Sequence, residues 1–277
     1  MIINLIDKEL SDISYNIITF SDGQKLVEVF TSDISKDYNG TFTIISRASW
    51  ADLEIISSVV HVIRNNWNNE IGLIAPYIGG RSDRRFNEDQ PHYLKEVYAP
   101  VLNSLNFNHV TTLDPHSDVL EATINRLEII TNESLVKGIV SKLNGSKALI
   151  VPDGGALKKA WNISKYFDGV LMCQKHRDIK TGKILGVEVP TIEEQRKYHS
   201  LVVVDDICDG GATFMEIAKK LDGDINLILI VSHGIFSKGF SPILGYDSVF
   251  TTNSVKDFKE SSSKITIIDS VNLIINA

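Results

Sequence analysis

The chain reads as an α/β protein of two domains, each a mainly parallel sheet flanked by helices. Three observations predict this. Apolar runs of strand length alternate with helical patterns from end to end, the order expected of βαβ units. The 277 residues, 43% hydrophobic and 23% charged, suffice for two ordinary cores. Several of the strand-like runs end in short loops carrying glycine, acid or imidazole, and open α/β sheets bind ligands at such ends.

In the first half, strands are expected near 14–20, 25–31, 42–46, 71–76 and 109–113, where apolar and β-branched residues cluster between turn residues. Helices are expected near 50–66 and 91–105, where apolar residues recur three and four apart. The second half carries strands near 148–151, 168–174, 200–204, 226–232 and 247–251, and helices near 133–143, 154–165 and 211–221. No low-complexity linker separates the halves. The boundary is expected in 130–145, dividing the chain into domains 1–138 and 139–277. Thr112-Leu113-Asp114-Pro115-His116 and Val204-Asp205-Asp206 both end strands in acid or imidazole, a faint sign that the domains are related.

Bulk properties exclude several classes. The net charge is −7 and no lysine/arginine cluster exceeds a few residues, so nucleic acid is not an expected partner. Cys173 and Cys208 supply neither a disulfide framework nor metal-ligand spacing. Cys208 reads as a small buried thiol. MIINLIDKEL carries acids and no long apolar core, so no signal peptide is expected. No apolar run approaches ~20 residues, so no membrane span is expected either. A cytoplasmic protein is the reading.

Residues 201–214, LVVVDDICDGGATF, are the most informative. Leu201 to Val204 form a strand that runs into Asp205 and Asp206. The loop Asp209-Gly210-Gly211-Ala212-Thr213 follows, then Phe214, Ile217, Ala218 and Leu221 at helical spacing. Glycines let backbone approach a phosphate, and amides at a helix start point at it. Carboxylates accept hydrogen bonds from ribose hydroxyls but repel phosphate. The two halves of the loop therefore suit the two ends of a phosphorylated sugar.

Four other segments carry candidate chemistry. Arg81, Arg84 and Arg85 in APYIGGRSDRR suit a polyphosphate, because guanidinium forks bind phosphate oxygens in pairs; a solvated basic loop is the alternative. His116, flanked by Asp114 and Asp118, suits a metal or phosphate site. Asp153 in LIVPDGGALKK either caps a helix or holds a metal. Lys175, His176 and Arg177 in CQKHRDIKTGKI suit a basic loop closing on a polyphosphate, with a plain exposed hairpin as the alternative. The end of IVSHGIFS reads as a simple backbone turn.

The loop at 205–213 resembles the phosphoribosyl-pyrophosphate loop of type I phosphoribosyltransferases. In their order along nearly the whole chain, the segments resemble ribose-phosphate pyrophosphokinase (phosphoribosyl pyrophosphate synthetase). The resemblance implies two phosphoribosyltransferase-like domains and transfer of the β,γ-diphosphate of ATP to the anomeric hydroxyl of ribose 5-phosphate. It implies a hairpin with Phe20, Asp22 and Gln24 contacting adenine, Phe20 stacking across a subunit boundary. It assigns Arg81, Ser82 and Asp83, together with His116, to ATP binding. His116 and Asp153 become associated with Mg2+. Lys175, Arg177 and Arg81 become the catalytic cations. Asp205 and Asp206 hold ribose, and Asp209, Gly210, Gly211, Ala212 and Thr213 hold the 5-phosphate. It also implies a dimer or hexamer.

Departures from the family pattern bear on the acceptor. The chain is shorter than a typical member. Gln24 stands where glutamate is common, Ser82 where glutamine is, and Pro115 where leucine is. The loop reads Asp-Gly-Gly-Ala-Thr in place of Asp-Thr-Ala-Gly-Thr, so Gly210 removes a hydroxyl and a side chain. That opens room for an acceptor whose phosphate is further substituted, such as ADP-ribose. A phosphoribosyltransferase and a non-catalytic synthetase-associated subunit are the competing readings.

Overall fold

The computed structural model describes residues 1–82, 89–152, 154–177 and 184–277, with residues 33, 155, 158, 175–177, 184 and 185 described by backbone alone. The chain forms two compact units, Met1–Ile130 and Thr131–Ala277.

In the first unit the chain runs through β1 (Ile2–Asn4), the hairpin β2 (Tyr15–Thr19) and β3 (Lys25–Val29), β4 (Phe42–Ile45), α1 (Trp50–Asn66), β5 (Ile71–Ile74), α2 (Ala99–Ser104), β6 (His109–Leu113), α3 (Val119–Thr123) and β7 (Leu127–Ile130). The sheet is parallel throughout, in the order β1-β4-β5-β6-β7. Helix α1 starts at a capping box in which the Ser49 hydroxyl accepts the Asp52 amide and Asp52 accepts the Ser49 amide. It buries Leu53, Ile56, Val60 and Ile63 at three- and four-residue spacing, the pattern of a helix laid on a sheet.

Two short strands escaped the periodicity. β1 and β7 have three and four residues, too few to establish a period of two. Their long-range partners hold them: Ile2 beside Thr43 and Leu127 beside Val110. The helix expected at 91–105 is divided into a wide π-type turn, Tyr93–Tyr98, and α2. Pro100 has no amide to bond back one turn, and the wide turn precedes it.

The second unit comprises α4 (Glu133–Val140), β8 (Lys147–Val151), α5 (Leu157–Ile163), β9 (Gly169–Met172), β10 (Gln174–Arg177), β11 (Ile184–Glu188), α6 (Ile192–Gln195), β12 (Ser200–Cys208), α7 (Ala212–Lys220), β13 (Asn226–Gly234), β14 (Ser248–Thr252), β15 (Ile265–Ile268) and α8 (Ser270–Ile275). Its main sheet is parallel, in the order β15-β14-β13-β12-β8-β9. β10 and β11 form a separate antiparallel hairpin.

Both faces of this sheet are covered. Val202, Val204, Ile228 and Ile230 pack with Val136 of α4 and Ala160 of α5. Leu201, Val203, Leu229 and Val231 pack with Phe214 and Ile217 of α7. That is why LVVV is apolar at successive positions. The boundary expected at 138/139 needs correction. It falls inside α4, whose Leu135, Val136, Ile139 and Val140 all join the second unit's core. No helix among the described residues is long and apolar enough to cross a membrane.

Candidate active site

Strands β8 and β12 lie side by side, Lys147 opposite Ser200 through Ile150 opposite Val203. From β8 the chain moves outward to β9; from β12 it moves the other way, to β13. Where neighbouring connections diverge, a crevice opens beyond the carboxyl ends of the strands. The loop holding Gly154 follows β8 there, and the loop Asp209-Gly210-Gly211 follows β12.

β12 runs four residues past its expected end at Val204. Asp205 pairs with Val231, Ile207 with His233 and Cys208 with Gly234, because β13 itself extends far enough to offer partners. Asp205 and Asp206 therefore lie within the strand, and successive side chains on a strand alternate in direction. Asp206 is buried at 7% exposure, and its Oδ2 accepts a hydrogen bond from Nζ of Lys159 on α5 at 2.7 Å. Asp205 is half-buried, and its Oδ1 accepts the Asp206 amide at 2.9 Å. Sequence reading missed Lys159. It is one of two adjacent lysines on an amphipathic helix, and nothing in a spacing of 47 residues marks it as a partner.

The loop turns at Gly211, whose φ is +73°. This residue caps α7 without a side-chain bond. A Cβ here would come to 2.7 Å from Cβ of Pro242, so glycine is required both by conformation and by space. Gly210 differs: a Cβ there would meet only the aliphatic part of Lys238, at 3.6 Å. The first turn of α7 points amides into the crevice, since a helix start has donors with no partner inside the helix. Ala212 is exposed and Thr213 half-buried.

The turn after β13 fastens the loop from behind. The Cys208 carbonyl accepts the Ile235 and Phe236 amides at 2.8 and 3.1 Å, and the Asp209 carbonyl accepts the Ser237 amide at 3.2 Å. Phe236 sits at φ +43°, held by edge-on contact with Phe240. His233 is fully buried, its Nδ1 2.8 Å from the Ser254 hydroxyl. Its segment therefore belongs to β13, and the turn begins only at Ile235. Tyr246 donates to the Phe214 carbonyl at 3.0 Å, fixing the first turn of α7.

Burial pushes the Cys208 thiol up to about 12, with the charges of Asp205 and Asp209 adding to it, and burial alone pushes Cys173 up to about 11. Both groups stay protonated at pH 8, where only thiolate alkylates. Iodoacetamide at pH 8 should leave both cysteines of the folded protein unmodified and add two groups once it is unfolded. Rapid stoichiometric labelling of folded protein, read by intact mass, would contradict the burial.

In the first unit β5 and β6 are neighbours, Ile74 opposite Thr111. The loops 75–82 and 114–118 thus leave one edge of the sheet. Arg81 and Ser82 are exposed, and His116 is half-buried. Asp114 is buried at φ +36°, and its amide donates to the Ile130 carbonyl at 2.8 Å. A left-handed non-glycine backbone costs of order 1–2 kcal/mol and collects at sites that use the geometry. Arg47, which the sequence reading passed over, follows β4 beside β5 at the same edge.

Phe20, Asp22 and Gln24 form the tip of the β2–β3 hairpin. The Phe20 amide donates to the Gln24 carbonyl at 2.9 Å, and Asp22 accepts the Gln24 amide at 3.1 Å. Phe20 is exposed, as are Ile17, Ile18 and Leu26 behind it. Lys175 and Arg177 lie on β10, opposite Val187 and Ile184. Their side chains, and Asp83 and Asp153 altogether, lie outside the described residues. Among the described residues no group of three or more His, Cys, Asp or Glu side chains could hold a metal. His116 by itself does not make a magnesium cage, since that ion favours oxygen ligands in octahedral array.

No family model matches the chain. A curated ribose-phosphate pyrophosphokinase of Mycoplasmopsis pulmonis is 28% identical over 263 residues, covering 89% of this chain and 78% of the relative. One from Methanopyrus kandleri is 24% identical over 268 residues, covering 90% and 86%. The crystal structure of phosphoribosylpyrophosphate synthetase from Mycobacterium smegmatis superposes with a TM-score of 0.77 at 16% identity, over 97% of this chain and 90% of that one. With that fold, and with sequence similarity over most of its length, the chain is a distant homologue of the ribose-phosphate pyrophosphokinases.

Proposed function

We propose that the protein transfers the β,γ-diphosphate of ATP to the anomeric hydroxyl of a ribose 5-phosphate unit, giving phosphoribosyl pyrophosphate and AMP. The observation that carries this reading is the crevice between β8 and β12. There a strand carrying two carboxylates in its last half feeds a left-handed glycine and a helix start. The homology to pyrophosphokinases supports the reaction.

The anomeric oxygen bonds to the β-phosphorus, and the bond from that phosphorus to the α,β-bridging oxygen breaks. AMP leaves with the bridging oxygen, and the hydroxyl proton passes to solvent. Such a transfer needs alignment and charge compensation rather than covalent help from the protein. Asp205 accepts from the ribose hydroxyls. Asp206, held by Lys159, keeps its place beside it. The backbone of 209–213 and the Thr213 hydroxyl take the 5-phosphate. Arg81, Ser82 and Asp83 bind the triphosphate with His116, while Lys175 and Arg177 offset charge on the transferring group. Phe20, Asp22 and Gln24 take the adenine, Phe20 in the site of a neighbouring protomer, which makes a dimer the smallest active form and a hexamer compatible. Asp153 and His116 would help hold magnesium bound with ATP, and that ion would offset charge on the phosphate oxygens. The work is that of a cytoplasmic enzyme of nucleotide biosynthesis.

One feature favours a second acceptor. Gly210 puts no side chain on the loop, and a Cβ there would only reach ordinary contact with the Lys238 stem, which suits a 5-phosphate carrying a further group, as in ADP-ribose. The test is AMP release from ATP and magnesium with either acceptor, the product identified by mass spectrometry. Pyrophosphorylated ribose 5-phosphate is the expected product. Product from ADP-ribose only keeps the chemistry and changes the acceptor, and a Gly210→Thr variant should then shift the preference back. AMP from neither overturns the reading in favour of a transferase or a non-catalytic subunit.

A further inference from the structure

Lys238 stands on the turn that fastens the loop from behind. Its Cδ and Cε both lie 3.6 Å from the point a Cβ on Gly210 would occupy, and its Cγ lies at 3.9 Å. The stem is thus laid across the face of Gly210, at ordinary contact distance from where a Cβ would stand. The turn cannot drift from the loop, because the Phe236 amide is bonded to Cys208 and the Ser237 amide to Asp209. Gly239, at φ +67°, closes the turn through its amide to the Phe236 carbonyl at 3.0 Å. Lys238 is exposed. Among the described residues no hydrogen bond or ion pair engages its ammonium, although the Glu260 carboxylate approaches neighbouring Gly239.

The charges around the loop call for a cation. Asp205, Asp206 and Asp209 all lie within five residues of one another, and a phosphate entering beside them is repelled. Lys159 offsets Asp206 on the α5 side.

We propose that Lys238 is a specificity-determining residue that binds an anionic oxygen of the acceptor's 5-phosphoryl group and so replaces the donor missing at Gly210. The proposal rests on the acceptor site assigned above. A lysine on a flexible stem suits this task, because it follows a phosphate whether or not that phosphate is further esterified.

The test measures binding directly, by calorimetry on the full chain with ribose 5-phosphate, ADP-ribose and unphosphorylated ribose, alongside the KM for ATP. Lys238→Gln should weaken binding of the preferred phosphorylated acceptor by about tenfold or more, the weight of one charge-assisted hydrogen bond. Binding of ribose and the KM for ATP should change less than about twofold, and Lys238→Arg should recover most of the loss. The substituted side chain is on the surface, so the melting temperature should not move. If Lys238→Gln binds the preferred phosphorylated acceptor as the parent does, while Asp205→Asn does not, Lys238 has no such role and the acceptor site stands. If the parent itself binds neither phosphorylated sugar, the acceptor site is wrong and the proposal falls with it.

Discussion

Replacing Asp205 and Asp206 together with asparagine should lower kcat/KM for the acceptor about 10²- to 10⁴-fold, two hydrogen bonds to charged groups at about 1.5–3 kcal/mol each. The effect should fall on the acceptor and leave the KM for ATP nearly unchanged. Asparagine keeps the shape of each side chain, so β12 and its pairing to β13 survive. The stability cost should be small. Asp206 loses its ion pair with Lys159, but that lysine is 31% exposed and its ammonium can still donate to an amide oxygen. A cost of about 1 kcal/mol and a fall in Tm of about 2–4 °C follow. The two single variants should differ. Asp205→Asn should act on acceptor binding, while Asp206→Asn should also weaken the hold on Lys159, whose ion pair becomes a hydrogen bond. A double variant within tenfold of the parent activity, with its fold intact, would remove these carboxylates from the acceptor site.

Gly211→Val should destabilise the protein by about 2–5 kcal/mol, whereas Gly210→Ala should be neutral or slightly stabilising. At Gly211 two costs add. A left-handed backbone with a side chain costs about 1–2 kcal/mol, and forcing that side chain against Pro242, 2.7 Å from its Cβ, costs about 1–3 kcal/mol more. Tm should drop by roughly 5–15 °C. At Gly210 a methyl meets the Lys238 stem at ordinary contact distance, and loss of glycine's freedom in the unfolded chain adds up to about 1 kcal/mol of stability. The contrast between adjacent glycines needs no assumption about activity, and thermal melts decide it. Equal Tm for Gly211→Val and the parent would show that the loop does not require the conformation described.

The order of apolar and helical patterns made most of the fold legible in the chain itself. LVVV and its neighbours are apolar at successive positions because β12 and β13 are covered on both faces. The capping signature Ser-x-x-Asp before α1 and the Gly-Gly turn before α7 locate both helix starts by local chemistry alone. Of the strands that escaped notice, β1, β7 and β15 are three or four residues long. What holds them is pairing with distant residues, which no local window contains. The domain boundary was displaced for a related reason: α4 looks like the end of one half, and only its packing on β8 and β12 assigns it to the other.

For the site, the residue types were legible and their partners were not. Asp205, Asp206 and the glycines announced a sugar-phosphate loop because acid, glycine and helix start follow one another in the chain. That a strand continues through the carboxylates, and that Lys159 reaches Asp206 from a helix 47 residues away, depended on β13 and α5 being brought alongside. The two loop glycines look interchangeable in sequence, yet Pro242 makes one indispensable and Lys238 makes the other a place for a side chain. Local order along the chain determined which groups this protein carries and in which kind of loop. Contacts between residues far apart in sequence decided which of those groups are neutralised, which are exposed and which a substrate can reach.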